Sequence, residues 1–237
     1  MHLPISPRLL ACAEYIRPGN VVADVGCDHG YLGIHLLTKG IAKRVIASDI
    51  NEGPLQSAQR NAQKYGIADK MSFHLCAGVR DVPRDFDVMV CAGMGADTMI
   101  SILEDAPWLK SPRYRLILQC QSKTPSLRRY LSEKGWYIAS ESVLKDGRFL
   151  YTVMEVLWSP EMPRLTVGGW HISPALLKNL TPEAKEYCDR IIDGLRLALT
   201  HRDDPEKQQA LRELSALSDK PPLRGEVDSP QGEDGGV

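Results

Sequence analysis

The chain has no apolar run of about 18 residues, the length a membrane-crossing helix needs, so nothing in it reads as a span and no membrane contact is expected. Its six cysteines include no Cys-x-x-Cys pair, which removes the commonest spacing for a zinc or redox centre. The opening residues, Met-His-Leu-Pro-Ile-Ser, show no basic region followed by an apolar stretch, so no export signal is visible and a reducing cytoplasm is the expected compartment. A net charge of −1 over 237 residues argues against a surface that binds polyanions everywhere. No internal repeat is present. With 43% hydrophobic and 25% charged residues, the composition suits one ordinary globular domain plus a smaller appendage.

The segment Val21-Val-Ala-Asp24-Val-Gly26-Cys-Asp28-His29-Gly30-Tyr31-Leu32 reads as a buried strand, a glycine turn and the start of a helix. An α/β protein cradles a nucleotide cofactor in that way, with backbone free to approach a ligand at the helix N-terminus. The spacing Asp-x-Gly-x-Asp-x-Gly, however, puts Asp28 where a dinucleotide fingerprint has its second glycine. An acid there repels a pyrophosphate, so the cofactor is not expected to be NAD.

Ser6-Pro7 starts a first helix, with Leu9, Leu10, Ala13 and Ile16 as its buried stripe. Strands are expected at 21–25, 44–49, 71–75, 87–91 and 115–119, with helices at 31–37, 54–65 and 98–103 and another that Thr124-Pro125 caps and Gly135 ends. This alternation predicts a parallel sheet with helices on both faces. Two further β-rich runs, 137–144 and 149–158, flank Asp146-Gly147, a strong hairpin signal. A closing antiparallel hairpin suits a seven-stranded methyltransferase sheet better than a dinucleotide-binding one. Residues 159–173, with Pro160, Pro163, Gly168 and Gly169, read as a linker. Residues 174–219 follow as a helical hairpin opened by Thr181-Pro182 and Asp204-Pro205, and 220–237 as a tail too poor in apolar side chains to pack.

Asp49, at the end of the second strand and 25 residues beyond Asp24, stands where a doubly wound fold offers a carboxylate to ribose hydroxyls; the plainer reading is a cap on the Asn51 turn. Asp24 and Gly26 suit the amino-acid end of S-adenosylmethionine, since an acid accepts from an ammonium and the turn leaves backbone room. Gly93-Met94-Gly95, after the fourth strand, would face the sulfonium across the site, or else is only a tight strand-to-helix turn. Cys27, Cys76, Cys91 and Cys120 fall near the carboxyl ends of the strands, where small buried side chains are common, and no metal is expected. Residues 110–150 hold nine Lys and Arg against three acids, a stretch that reads as a phosphate-binding patch or a solvated face.

The segments Ser6-x-Arg8-Leu9, Asp24-Val-Gly-Cys-Asp-His-Gly-Tyr-Leu32, Glu52-Gly-Pro54, Cys91-Ala-Gly-Met-Gly95 and Arg115-Leu-Ile-Leu-Gln119 together resemble the bacterial tRNA adenine N1-methyltransferases that modify the adenine at tRNA position 22. The resemblance runs in order from residue 6 to about 158, and the helical hairpin is similar to that family's C-terminal coiled coil. It implies an α/β, Rossmann-like class I methyltransferase fold that moves a methyl group from S-adenosylmethionine to N1 of an adenine in tRNA. The implied cofactor residues are Asp24, Gly26, Asp28, Asp49, Ala77, Gly93, Met94 and Gly95. Asp28, His29, Tyr31 and Gln119 are the implied residues around the target base, as acceptors for its exocyclic amine or as stacking partners. Lys123, Arg128, Arg129 and Arg148 are the expected tRNA contacts. The chain departs from the family at Ala77, where an acid near the cofactor adenine is usual, at Ala96 in place of a glycine, and at Gln119-Cys120-Gln121 in place of Gln-Pro-Asn. A methyltransferase for another nucleic acid or a small molecule, or a non-catalytic RNA-binding module with a residual cofactor pocket, remain the alternatives.

Overall fold

The computed structural model describes residues 3–218; the expected tail at 220–237 lies outside them. Seven strands form one sheet: β1 Asn20–Val25, β2 Ala42–Asp49, β3 Met71–Leu75, β4 Val88–Met94, β5 Arg115–Cys120, β6 Trp136–Asp146 and β7 Phe149–Trp158. Their order is β3-β2-β1-β4-β5-β7-β6; the first five are parallel, while β7 runs antiparallel to both β5 and β6. The expected parallel sheet with a closing hairpin is therefore present. Chain order reverses between β1 and β4, which opens a crevice at the carboxyl ends of those strands, the usual place for a ligand in such sheets.

Helices α1 Pro7–Ala13, α2 Tyr31–Thr38 and α3 Glu52–Lys64 pack on one face; α4 Ala96–Asp105 and α5 Thr124–Glu133 cover the other. The central strands are apolar on both faces because each side is covered: Val22 and Val90 join the first cluster, Ala23 and Met89 the second. Ser6 caps α1 as expected, its hydroxyl accepting from the Leu9 N–H, and Cys12, Ala13 and Ile16 are buried. Leu10, expected in the buried stripe, is instead 38% exposed, because the short helix turns only one side to the sheet. Helix α5 begins one residue earlier than a Thr124 cap would put it, behind Lys123 in the left-handed region (φ 57°).

After β7 come α6 Val167–His171, α7 Pro174–Leu177, α8 Pro182–His201 and α9 Pro205–Ser218. Thr181 and Asp204 cap α8 and α9 through the Ala184 and Lys207 N–H groups, as their Thr-Pro and Asp-Pro pairs predict. The segment expected as a linker is not a free connector. Within it α6 packs on both α5 and α9, Gly168 and Gly169 are buried, and the Gly168 N–H donates to Glu213 Oε2 at 2.7 Å. A side chain at Gly168 would begin 3.0 Å from Glu213 Cβ, so glycine is what lets the two helices meet. Val143 of β6 and Leu150 of β7 pack against the cluster formed by Leu176, Tyr187, Leu195 and Leu214, so the hairpin and the terminal helices share a core.

Candidate functional site

A cleft of about 1010 Å³ lies at the β1/β4 switch point, walled by the ends of β1, β2 and β4, the start of α1 and one face of α4. Its floor is Asp24, on a strand that buries it almost completely. Burial pushes this carboxyl from 3.8 up to about 7, against the opposing pull of a backbone hydrogen bond from Gly33, and the Asp49 charge adds to the rise. Asp24 Oδ2 has no hydrogen-bond partner in the protein. A buried acceptor left open at a cleft floor suits a cationic donor from outside.

The turn after β1 is fixed by backbone bonds. The Gly26 and Cys27 N–H groups both donate to the Ser48 carbonyl, at 2.8 and 3.0 Å. Gly26 has φ 69°, and a Cβ there would run into the Met94 methyl group, so the turn needs glycine for conformation and for space. Asp28 is also left-handed, at φ 50°, a strained position for a side-chain-bearing residue. That conformation aims its N–H at Asp49 Oδ2 (3.1 Å), while the Asn51 N–H donates to Asp49 Oδ1 (2.9 Å). Asp49 thus caps the Asn51 turn, and it also lines the cleft with each oxygen retaining acceptor capacity.

Asp28 and Tyr31 line the cleft, with the Asp28 side chain largely exposed. His29 sits outside the lining, its Nε2 3.6 Å from Asp28 Oδ1 and its ring 5.6 Å from that of Tyr31. Of the other residues expected at the cofactor, Ala77, Gly93 and Met94 line the cleft; Gly95 does not, standing at the start of α4 beside Ser122. Gln119 reaches the cleft wall but is fully buried, and both ends of its amide are engaged. Its Oε1 accepts from the Gly93 N–H at 3.0 Å and its Nε2 donates to the Cys120 carbonyl at 3.3 Å. It holds the Gly93 turn rather than offering its carbonyl to a substrate amine. Gln121, also on the wall, is the exposed amide.

Two groups of lining residues are not among the expected site residues. Arg8 and Leu9 come from α1. Asp97, Thr98, Ser101 and Asp105 come from α4, where the i, i+4, i+8 spacing of 97, 101 and 105 makes one polar face opposite the buried Met99 and Leu103. That periodicity is visible in the sequence.

Five of the nine cations in the basic stretch are answered by carboxylates within the protein. Arg128 is buried and paired with Glu141, Arg115 with Glu155, Arg129 with Glu133 and Glu206, Lys123 with Asp97, and Lys145 with Glu186. Arg128 is thereby excluded as a tRNA contact, since no phosphate reaches a side chain with no exposed surface. Of the four expected contacts, Arg148 alone has no carboxylate partner among the described ion pairs. Cys27, Cys76, Cys91 and Cys120 are all buried, and burial raises the thiols of Cys27, Cys91 and Cys120. Among the described residues no helix is long and apolar enough to cross a membrane, and no group of three or more His, Cys, Asp or Glu is placed to hold a metal ion.

Residues 5–154 match the family described as "Methyltransferase domain". The chain is 32% identical over 153 residues to the tRNA (adenine(22)-N(1))-methyltransferase of Bacillus subtilis, an alignment spanning 64% of each protein. Among solved structures, Sp1610 of Streptococcus pneumoniae, described as "a putative tRNA (m1A22) methyltransferase" and determined with S-adenosyl-L-methionine, superposes with a TM-score of 0.79 at 31% identity, covering 89% of this chain and 99% of that one. The B. subtilis m1A22 tRNA methyltransferase structure gives a TM-score of 0.75 at 26% identity, over 91% of this chain and 96% of that one.

Proposed function

The chain belongs to the tRNA (adenine(22)-N1)-methyltransferase family, and from that membership we propose that it methylates N1 of an adenine in tRNA, using S-adenosylmethionine in the cytoplasm. The observation that carries the reading is the open, buried Asp24 Oδ2 at the floor of a cleft large enough for a cofactor and a base together. When bound, S-adenosylmethionine supplies a methyl group on a sulfonium. Asp24, once ionised, accepts from the cofactor's ammonium, and Asp49 accepts from the ribose hydroxyls with the oxygen capacity its two backbone donors leave free. The Gly93–Met94 wall, held by Gln119, shapes the space beside the sulfonium. Ala77 leaves the adenine edge without the usual acid, and Ser101 and Asp105 of α4, the latter paired with Arg80 at 3.0 Å, are polar groups lining the same cleft.

Adenine N1 carries its own lone pair, so no base must remove a proton before attack; the protein has chiefly to hold nucleophile and methyl group about 3–3.5 Å apart and in line. The exocyclic amine becomes more acidic as N1 is methylated, and an acceptor aimed at it favours the transition state. Asp28, exposed on a strained left-handed backbone at the cleft, takes that role, with Gln121 as a further amide on the cleft wall. Tyr31 offers its ring to the base, and His29, at the rim, orients Tyr31 and Asp28 instead of touching the reacting atoms. An adenine stacked in the tRNA must swing out, at a cost of about a few kcal/mol. Labelled S-adenosylmethionine incubated with unmodified tRNA, followed by mass spectrometry of the nucleosides, is expected to give 1-methyladenosine. Absence of incorporation with tRNA binding intact would make the chain a binding module, and label in another nucleic acid alone would reassign the substrate.

A further inference from the structure

The turn end of the β6–β7 hairpin carries a line of cations and rings leading away from the cleft. Arg8, on the cleft wall, is anchored by Asp146 Oδ2 at 3.2 Å and lies over the Tyr151 ring, with Cζ 5.3 Å from its centroid. Tyr151 neighbours Phe149, centroid to centroid 6.2 Å, and Arg148 covers Phe149 at 4.9 Å. Phe149 is 51% exposed, a large aromatic surface to leave in water at the tip of a hairpin.

Strand alternation explains why the line exists. Residues 149 and 151 share one face of β7, whereas Leu150 on the opposite face packs against the terminal helices. Core packing therefore accounts for Leu150 and leaves Phe149 unexplained.

We infer that Phe149, flanked by Arg148 and Tyr151, is a stacking platform for an unpaired base of the tRNA beside the target adenine. The inference rests on the tRNA reading above and adds the surface that holds the substrate outside the cleft. Three features favour RNA. A half-exposed ring beside the Arg148 guanidinium presents a π-face for a base and positive charge for an adjoining phosphate, which is how single-stranded nucleic acid is gripped without sequence readout. A protein partner would ask for a broader apolar surface than one ring bordered by charge. The line is also continuous with the cleft through Arg8, so a strand with one base drawn into the cleft would lay its neighbour on the hairpin.

The test uses the full chain and an unmodified tRNA, with tRNA affinity, methyl transfer and cofactor affinity measured on each variant. F149A is expected to weaken tRNA binding by about fivefold to a hundredfold, the range for loss of one base–aromatic stack. Cofactor affinity and melting temperature should stay at the parent's values, because Phe149 touches neither the cleft nor the core. F149W should restore binding, and F149L, which keeps apolar bulk without a π-face, should not. If the parent binds and methylates tRNA while F149A or F149L binds as tightly, the platform is overturned and the ring is left for a protein partner. If the parent neither binds nor methylates tRNA, the functional reading itself falls.

Discussion

Arg128 and Glu141 meet inside the protein, Nη2 to Oε1 at 2.6 Å, with neither side chain exposed. The guanidinium also donates to the Trp170 and His171 carbonyls at 3.1 and 2.7 Å and to the Tyr187 hydroxyl at 3.3 Å, while the Ser173 hydroxyl donates to Glu141 Oε2. Five elements are tied together this way: α5, β6, α6, the start of α7 and α8. The C-terminal helices are thus fastened to the methyltransferase sheet by a satisfied buried network rather than hung from it on a linker.

Removing one partner strands the other's charge in the interior. R128A is expected to lower stability by about 3–5 kcal/mol, read by urea or thermal unfolding, while replacing both partners with apolar side chains of similar size should recover much of the loss. A single variant as stable as the parent would mean that the pair carries no such penalty.

That pair also marks a limit to what local sequence encodes. The apolar runs of β1, β2, β4 and β5 and the Ser-Pro, Thr-Pro and Asp-Pro helix starts are local signals, and the elements stand where those signals put them, apart from the one-residue shift at the start of α5. Arg128 is a basic residue in a basic stretch, and its partner lies 13 residues away on a strand whose inward face only the finished fold defines. Helix α6 was equally hidden: five residues rich in glycine have little helical preference, and contacts with Glu213 from α9 supply what the local sequence lacks. That Asp24, Gly26 and Asp49 meet at one cleft is legible in the sequence, because strand ends and turns have fixed spacing. The task of Gln119 is not legible there, since only the Gly93 N–H on the neighbouring strand reveals what its carbonyl does.

Asp24 sets a pH dependence whose sign can be worked out. Its carboxyl ionises near its ordinary 3.8 when unfolded and near 7 in the fold, so between those values the native state binds more protons. Stability of the cofactor-free protein therefore falls, through this group, as pH rises from about 4 to 7, and the full penalty remains above 7. Cofactor binding runs the other way: an ammonium wants the carboxylate, so affinity rises as pH climbs through about 7. D24N should flatten both profiles and weaken binding at least about tenfold, the loss of a charge-assisted hydrogen bond. Calorimetric titrations and melting curves at several pH values decide it; a D24N profile that matches the parent's would remove Asp24 from the site.

Asp49 should be needed for the cofactor beyond its cap. D49A removes the acceptor for the Asp28 and Asn51 N–H groups as well as the ribose contact, and is expected to lose about tenfold or more in cofactor affinity. Unchanged affinity would leave Asp49 with only its turn to hold.

Gly26 tests the turn itself. G26A forces a Cβ into the left-handed region and against the Met94 methyl group, so a loss of about 1–2 kcal/mol is expected from conformation alone, with weaker cofactor binding on top. Adding M94A should relieve the collision but not the backbone strain, giving a double variant more stable than the sum of the two single losses. Simple additivity in unfolding experiments would show that the two side chains do not compete for that space.

The salt dependence of tRNA binding separates the cations that contribute from those that do not. Each phosphate contact releases counterions and steepens the slope of log affinity against log salt by nearly one. Arg129 is held by Glu133 and Glu206 at 2.9 and 3.2 Å and Lys123 by Asp97, so their charges are already answered within the protein. Arg148 lies over Phe149 and meets no carboxylate among the described ion pairs, leaving its charge for a phosphate. R148A should therefore reduce the slope by roughly one, while R129A and K123A leave it nearly unchanged. The reverse pattern would mean that those ion pairs open on tRNA binding and that the phosphates follow α5 instead of the hairpin.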